Sequence, residues 1–278
     1  FEAAVVSPYV TAHLNGLTPN PCVECNRHIK FSAFLDRARR LGFDAVATGH
    51  HARVVRRAGA PPRLLRGRDA KKDQSYVLSC LRADQLEQLL LPVGELTKTE
   101  VRRLAAKRSL PTAAKPDSQE VCFVGGAGTA SRRTFLEGRL SLHAGRVVDD
   151  LTGEELGEVP ALELVTVGQR HGLGLSGGPR RFVVDVDAGA RVVRVGEEDR
   201  LEATGVALVA RTHTGETVPD GTEVLAQASA HGRPFRARVD GDALSFLTPR
   251  RRVAPGQVVA LYEGDEVLGS GIAAREVA

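Results

Sequence analysis

Two rhythms of apolar and polar positions divide the chain. In the first, apolar residues recur at helical spacing. Phe31, Phe34, Leu35, Ala38 and Leu41 fall on one face of a helix predicted over 27–41, with Gly42 where a C-terminal cap belongs. A short strand follows in "FDAVATGHH" and ends in Thr48, Gly49 and His50. Helix then strand is half of a parallel α/β repeat, in which ligands sit at the carboxyl ends of strands, so Gly49 and His50 are well placed. "ARVVRRAGAPPRLLRGR" predicts a basic hairpin turning at Gly59-Ala60-Pro61-Pro62. Helical segments are predicted over 74–81 and 84–90, and Thr97 with Glu100 has the spacing of a capping box that opens a helix through Val101, Leu104 and Ala105.

The rhythm changes at Gly125, Gly126 and Gly128, which read as a hinge. Beyond it the pattern is strand-like over 145–159, 162–175 and 180–196, with a second break at 197–200. Short alternating strands then recur between turn signals at Pro219-Asp220-Gly221, Asp240-Gly241-Asp242, Pro255-Gly256 and Glu263-Gly264-Asp265, which suits a small antiparallel barrel or sandwich.

Composition adds bounds. A chain of 278 residues with 42% hydrophobic content buries a real core and divides into two or three domains. No apolar run approaches the roughly 20 residues that span a membrane, and the first thirty lack a signal-peptide pattern, so the expected location is the cytoplasm. The chain has no methionine, and "FEAAVVSPYVTAHLNG" reads as the end of a helix begun upstream, which predicts missing N-terminal sequence. The net charge is +4, but Arg53, Arg56, Arg57, Arg63, Arg66, Arg68, Lys71 and Lys72 lie within twenty residues opposed by Asp69 alone, and Arg250, Arg251 and Arg252 form a second cluster. Each is either a solvated face or a surface for a polyanion.

Four cysteines in such a chain are not a disulfide scaffold. Cys80, within "SYVLSCL", reads as a buried small hydrophobe. Cys22 and Cys25, in "TPNPCVECNRHIKF", have three readings: half of a zinc site, a redox pair, or a nucleophile presented by a proline-stiffened loop. In the third, Cys25 begins the following helix, whose N-terminus together with Arg27 and His28 would lower the thiol pKa. Cys122 stands alone just past the polar stretch 115–120, either incidental or a carrier that swings toward Cys25. Gly168 to Gly174 reads as a tight turn that leaves Arg170 and His171 free to meet a partner.

"TPNPCVECNRHIKF", "ATGHHARV", "KKDQSYVLSCL", "LPVGELTKTEVRRLA", "LPTAAKPDSQEVCFVG", "VGQRHGLGL" and "VAPGQVVALYEGDEVLGSGIA", in this order along nearly the whole chain, resemble the bacterial tRNA-specific 2-thiouridylases. The resemblance implies an α/β fold: part of a doubly wound ATP-pyrophosphatase-like domain over 1–125, a small mixed central domain over 126–198 and an antiparallel β-barrel over 199–278. It implies a sulfurtransferase that forms 2-thiouridine at the wobble position of tRNA, through adenylation by ATP (with Mg2+) and a cysteine persulfide fed by a sulfur donor or relay protein. Cys25 becomes the nucleophile and Cys122 the persulfide carrier, joined at one stage by a disulfide. Asn20, Pro21 and Cys22 would lie beside the target base, Gly49 against ATP, and His50, Lys72, Asp73, Gln74 and Gln257 against tRNA. No protein-ligated metal is implied. The family's Ser-Gly-Gly-Val-Asp-Ser-type phosphate cradle is absent here, which leaves a non-catalytic tRNA-binding remnant as the alternative. Some members carry aspartate in place of Cys22, and Ser229-Ala230 stands where an Arg-aromatic pair is common.

Overall fold

The computed structural model describes residues 1–115, 121–126, 128–175 and 178–275. Most of the polar stretch before Cys122, residues 116–120, lies outside them. The chain opens with a wide-wound helical turn, Glu2–Val6, that runs into α1 (Ser7–Leu14). The cysteine segment is helical throughout: α2 (Pro21–Glu24), a π-wound stretch Cys25–Ala33, then α3 (Phe34–Arg40), stopped by Gly42 at φ +80°. This corrects the helix start expected at residue 27. Proline is compatible with the first helical turn, where its missing N–H has no partner to serve. Pro21 occupies that turn, and the Asn20 side chain caps it by accepting from the Cys22 and Val23 amides at 3.1 and 3.3 Å.

The π stretch is broken by non-helical angles at Phe31 (φ −115°, ψ 15°), and this shifts the apolar stripe. Phe31, Leu35 and Ala38 are buried, whereas Phe34 and Leu41, expected on the same face, are more than half exposed.

β1 (Val46–Ala47) is followed by the basic hairpin, β2 (Ala52–Val55) and β3 (Arg63–Arg66). Short helical turns α4 (Ser75–Leu78) and α5 (Ala83–Leu86) lead to β4 (Leu89–Leu90), which pairs in parallel with β1. The apolar run ending at residue 90 was expected to be helix; pairing with Val46 overrides its local preference, as short apolar runs permit. α6 (Lys98–Lys107) carries the expected capping box of Thr97 and Glu100. The region read as a hinge before strands contains α7 (Gly128–Glu137), which buries Phe135 and Leu136.

A four-stranded sheet follows, with β5 (Gly145–Asp149), β6 (Glu155–Val159), β7 (Phe182–Asp187) and β8 (Val192–Gly196) in the order β6-β5-β8-β7 and only β5 and β8 parallel. The strand expected over 162–175 is a single 3-10 turn and loop, because Gly168, Gly172 and Gly174 adopt positive φ and cannot continue a ladder.

β9 (Glu202–His213), β10 (Glu223–Gln227), β11 (Phe235–Asp240), β12 (Ala243–Arg251), β13 (Val258–Glu263) and β14 (Glu266–Ala273) form a closed six-stranded antiparallel barrel, sealed by β13 against β14. β3 attaches to β14 at Leu65 and Glu266.

β13 explains how the barrel is held. Its residues alternate between two cores: Val259 and Leu261 face the barrel interior, while Val258, Ala260 and Tyr262 join Val23, Phe31, Leu64, Tyr76, Leu78 and Leu86 of the α/β part. A strand buried on both faces reads as an unbroken apolar run, as "VVALY" does. Four buried hydroxyls of this seam are paired. Tyr76 Oη donates to the Val258 carbonyl at 2.8 Å, Ser75 Oγ meets Tyr262 Oη at 3.2 Å, and Ser270 Oγ donates to the Ser79 carbonyl at 3.1 Å.

Candidate active site: three thiols on one face

Cys22 and Cys25 lie one helical turn apart, the first exposed and the second half-buried. Cys122 is exposed in the turn that begins at Val121, where the Val124 amide bonds the Val121 carbonyl. The next residue anchors it. The Phe123 ring packs against Tyr9 at 5.4 Å, Phe135 at 5.2 Å and Phe1 at 5.7 Å. Tyr9 in turn meets the ring of His13 at 4.6 Å, and His13 Nδ1–H donates to the Glu163 carbonyl at 3.0 Å. The result is that Cys122 lies within electrostatic reach of both Cys22 and Cys25. All four cysteines are free thiols.

The lowered pKa expected of Cys25 is not what the structure shows. Burial pushes the Cys25 thiol up, the Lys30 ammonium pulls it down and Cys122 pushes it up again. The protein mass around Cys22 raises it too, with Cys122 and Cys25 adding and Lys30 opposing. Two causes account for the difference. Cys25 sits inside the helix, and the free N–H groups at its start are taken up by Asn20. The expected cations are also engaged elsewhere: His28 Nε2 lies 3.2 Å from Glu24, and Arg27 lies 3.6 Å from Glu24 while donating to Thr212 Oγ1 at 3.2 Å. Cys80 is the buried small residue expected, with Sγ 3.6 Å from the Val23 carbonyl and its pKa raised by burial to about 12.

His50 is buried against Phe31, their rings 5.8 Å apart. Nδ1 lies 2.8 Å from Thr48 Oγ1 and Nε2 lies 3.4 Å from Lys30 Nζ. Burial, then Lys30 and His51, lower its pKa to about 4, so the ring is neutral at pH 7. Gly49 is exposed just beyond β1, and a Cβ built there meets nothing within 4 Å. The carboxyl end of this parallel pair is therefore unobstructed at Gly49. Among the described residues no group of three or more His, Cys, Asp or Glu could hold a metal ion.

Lys72, Asp73 and Gln74 line a cavity of about 340 Å3 with His51, Lys71, Lys98 and, from the barrel side, His231. Asp73 is a structural hub: it accepts from the Gly67 and Ser75 amides, Ser75 Oγ and Arg66 Nη1. Gln74 Oε1 accepts from the His51 amide at 3.0 Å. Gln257 lies in a turn whose Pro255 carbonyl accepts from the Thr18 amide at 2.8 Å, and Gly256 (φ +87°) leaves no room for a Cβ, which would meet the Thr18 nitrogen at 2.9 Å. The turn is thus seated on the segment leading to Asn20.

The two basic clusters are largely consumed internally. Arg56 bonds three carbonyls, Leu86, Glu87 and Leu89, and Arg66 covers the Tyr262 ring while bonding Asp73 and Gln227. Arg250 stacks on Phe235 at 3.5 Å, Arg251 donates to the Gly168 carbonyl, and Arg252 reaches the Val184 carbonyl. Arg170 and His171 are exposed, and 3.1 Å separates their side chains. Lys30, Lys98 and Phe123 were not singled out from sequence, whereas His231 was read there as able to compensate for the missing Arg-aromatic pair. Lys98 and His231 face the cavity across two separate folds of the chain, and Lys30 is five residues from Cys25, a spacing no α-helical pattern pairs.

Residues 1–126 match the family described as tRNA methyl transferase HUP domain, 133–197 the tRNA methyl transferase PRC-barrel domain, and 220–273 the aminomethyltransferase beta-barrel domain. The chain is 45% identical over 281 residues to the tRNA-specific 2-thiouridylase MnmA of Chloroflexus aurantiacus, covering 99% of this chain and 78% of the relative. It is 43% identical to that of Thermobifida fusca, covering 99% and 75%, and 42% identical to that of a Roseiflexus species, covering 99% and 80%. The chain belongs to the MnmA family of tRNA-specific 2-thiouridylases. Membership accounts for the mixed α/β architecture with its terminal barrel. Among the described residues no helix is long and apolar enough to cross a membrane.

Proposed function

We propose that the protein transfers sulfur to carbon 2 of the wobble uridine of tRNA in the cytoplasm, with Cys122 as persulfide carrier and Cys25 as resolving nucleophile. The observation that carries this reading is the meeting of Cys22, Cys25 and Cys122, from segments about a hundred residues apart in sequence, on one accessible face. When bound, ATP (with Mg2+) would supply adenylation of the uracil oxygen on carbon 2, which would then leave with AMP; Gly49, with open space where a side chain would stand, is the residue that would lie against it.

A sulfur donor or relay protein places one sulfur on Cys122. That terminal sulfur bonds to carbon 2. The Cys25 thiolate attacks the Cys122 sulfur, the sulfur–sulfur bond to the product breaks, and its electron pair stays with the 2-thiouridine. A Cys25–Cys122 disulfide remains, and an external thiol returns it to two thiols. Asn20, Pro21 and Cys22 form the rigid helix start beside the reacting carbon. His50 acts from behind this surface. Lys72, Asp73, Gln74 and Gln257 stand at the cavity and seam that would receive the tRNA.

Incubation of the chain with tRNA, ATP and a persulfide donor, followed by nucleoside mass spectrometry, should yield 2-thiouridine. Binding of tRNA without product would support the non-catalytic alternative. Binding itself should weaken with salt, since phosphate contacts are salt-dependent. Lys71→Ala and Lys72→Ala should each lower the slope of log affinity against log salt by about one, as read by filter binding. An unchanged slope would assign the cavity no phosphate contact.

A further inference from the structure

We propose that Lys30 is a positioning residue for the sulfur chemistry: the i→i+5 winding that begins at Cys25 carries its ammonium onto the cysteine face, His50 holds it there, and its charge favours the Cys25 thiolate.

The geometry starts from the winding. At about 3.6 residues per turn, position i+5 of an α-helix lies roughly 140° around the axis from position i. Lys30 would then point away from Cys25. Cys25–Ala33 is wound instead with i→i+5 bonding, as the Phe34 amide on the Ile29 carbonyl shows at its end, and at roughly 4.4 residues per turn a residue comes to within roughly 50° of the one five places earlier, on the same side of the axis. Such turns concentrate at functional sites, because the widened turn is costly and persists only where something is gained.

A long lysine on an exposed surface would ordinarily sample many rotamers. Here Nζ lies 3.4 Å from His50 Nε2. An ammonium has only donors, so the neutral His50 ring must accept through Nε2, which leaves its proton on Nδ1 to be donated to Thr48 Oγ1 at 2.8 Å. The tautomer is fixed by its two partners. Thr48 and His50 therefore act on the thiol through Lys30, which gives a buried histidine a role that direct tRNA contact does not.

Among the described residues, other charged and titratable groups also bear on Cys25. Glu24 is engaged by Arg27 and His28. Cys122, from a segment distant in sequence, opposes the Cys25 thiolate. Lys30 is the strongest favourable charge acting on Cys25 and acts on Cys22 in the same sense.

The inference concerns the same site as the proposed function, but its test contains neither tRNA nor ATP, so the two can fail separately. The rate of iodoacetamide alkylation, in which the thiolate displaces iodide, is measured at Cys25 by peptide mapping from pH 6 to 10. In Lys30→Met the midpoint should rise by about half a unit or more, the scale of one partly screened charge. Lys30→Arg should restore it. In the unaltered chain, raising salt should move the midpoint upward by screening, a measurement that does not depend on how a variant folds. An unmoved midpoint in Lys30→Met, failure of Lys30→Arg to restore it, or a flat salt series would overturn the proposal.

Discussion

Cys25→Ser and Cys122→Ser should each lower tRNA thiolation by about a thousandfold or more, while Cys80→Ser leaves the turnover of the folded protein intact. The first two remove groups for which no other side chain on that face can substitute. A serine at 122 cannot carry a persulfide, and a serine at 25 cannot open the sulfur–sulfur bond. Cys22 is near enough to be considered, and it is the more exposed of the pair. It stands on the first turn beside Asn20, however, and its thiol is pushed up first by burial and then by Cys122 and Cys25. Cys80 is the control. It is 2% exposed, and a hydroxyl in its place would be buried with only the Val23 and Val77 carbonyls, 3.6 and 3.8 Å from the present sulfur, to bond. That exchange should cost about 1–3 kcal/mol of stability. Nucleoside mass spectrometry reads the first effect and urea unfolding the second. Normal thiolation by Cys25→Ser would remove the resolving role from this residue.

Non-reducing peptide mapping after mild oxidation tests the same pair of thiols independently. A Cys25–Cys122 link is expected. A Cys22–Cys25 link alone would instead indicate a local redox pair.

What could be read from the sequence follows the physics of each segment. The barrel was legible because its turns carry glycine at positions needing positive φ, such as Gly221, Gly241 and Gly264, and because β11 alternates strictly between buried Ala237 and Val239 and outward Arg236 and Arg238. The hairpin β2–β3 was legible for a similar reason. The cysteine segment misled because Pro19 and Pro21 suggest a loop, whereas Pro21 opens a helix capped by Asn20. Its true start moved Cys25 into the helix and reversed the expected direction of its pKa. The basic stretch misled differently. Charge counted along the chain cannot show that Arg53 closes on Asp265 across 212 positions, or that Arg66 reaches Gln227. The α7 helix was hidden by the glycines before it, and β4 by the absence of any pattern that two residues could carry. The likeness to the thiouridylases placed the thiols in one family's order; the winding that brings Lys30 to them is visible only in three dimensions.

Acid should weaken the fold through two buried histidines that brace this site. His13 and His50 both have pKa values lowered to about 4, in each case chiefly by burial. In the unfolded chain each titrates near 6.5, so between those values the unfolded state binds more protons and stability falls as pH falls. The contribution is fully present above about pH 6.5 and is lost by about pH 4, where the folded state takes up the same protons. Each histidine is worth up to about 3 kcal/mol across that window, a large share of a stability of roughly 5–15 kcal/mol. His213, also lowered by burial and then by Arg211, adds in the same direction. Carboxylates do not confuse the measurement: Asp69 and Asp149 are held below their ordinary range by backbone N–H donors, so their contributions are lost only at lower pH. Urea midpoints at pH 7.5, 6 and 5 should fall steadily, and His13→Gln and His50→Gln should each remove about one proton's share of the slope. The two variants should also differ in where the loosening is felt. His13 braces the Tyr9 and Phe123 rings behind Cys122, whereas His50 holds Lys30 beside Cys25. Alkylation at pH 7.5 should therefore change at Cys122 in the first and at Cys25 in the second. Midpoints that stay level from pH 7.5 to 5 would show that neither ring is held neutral by the fold.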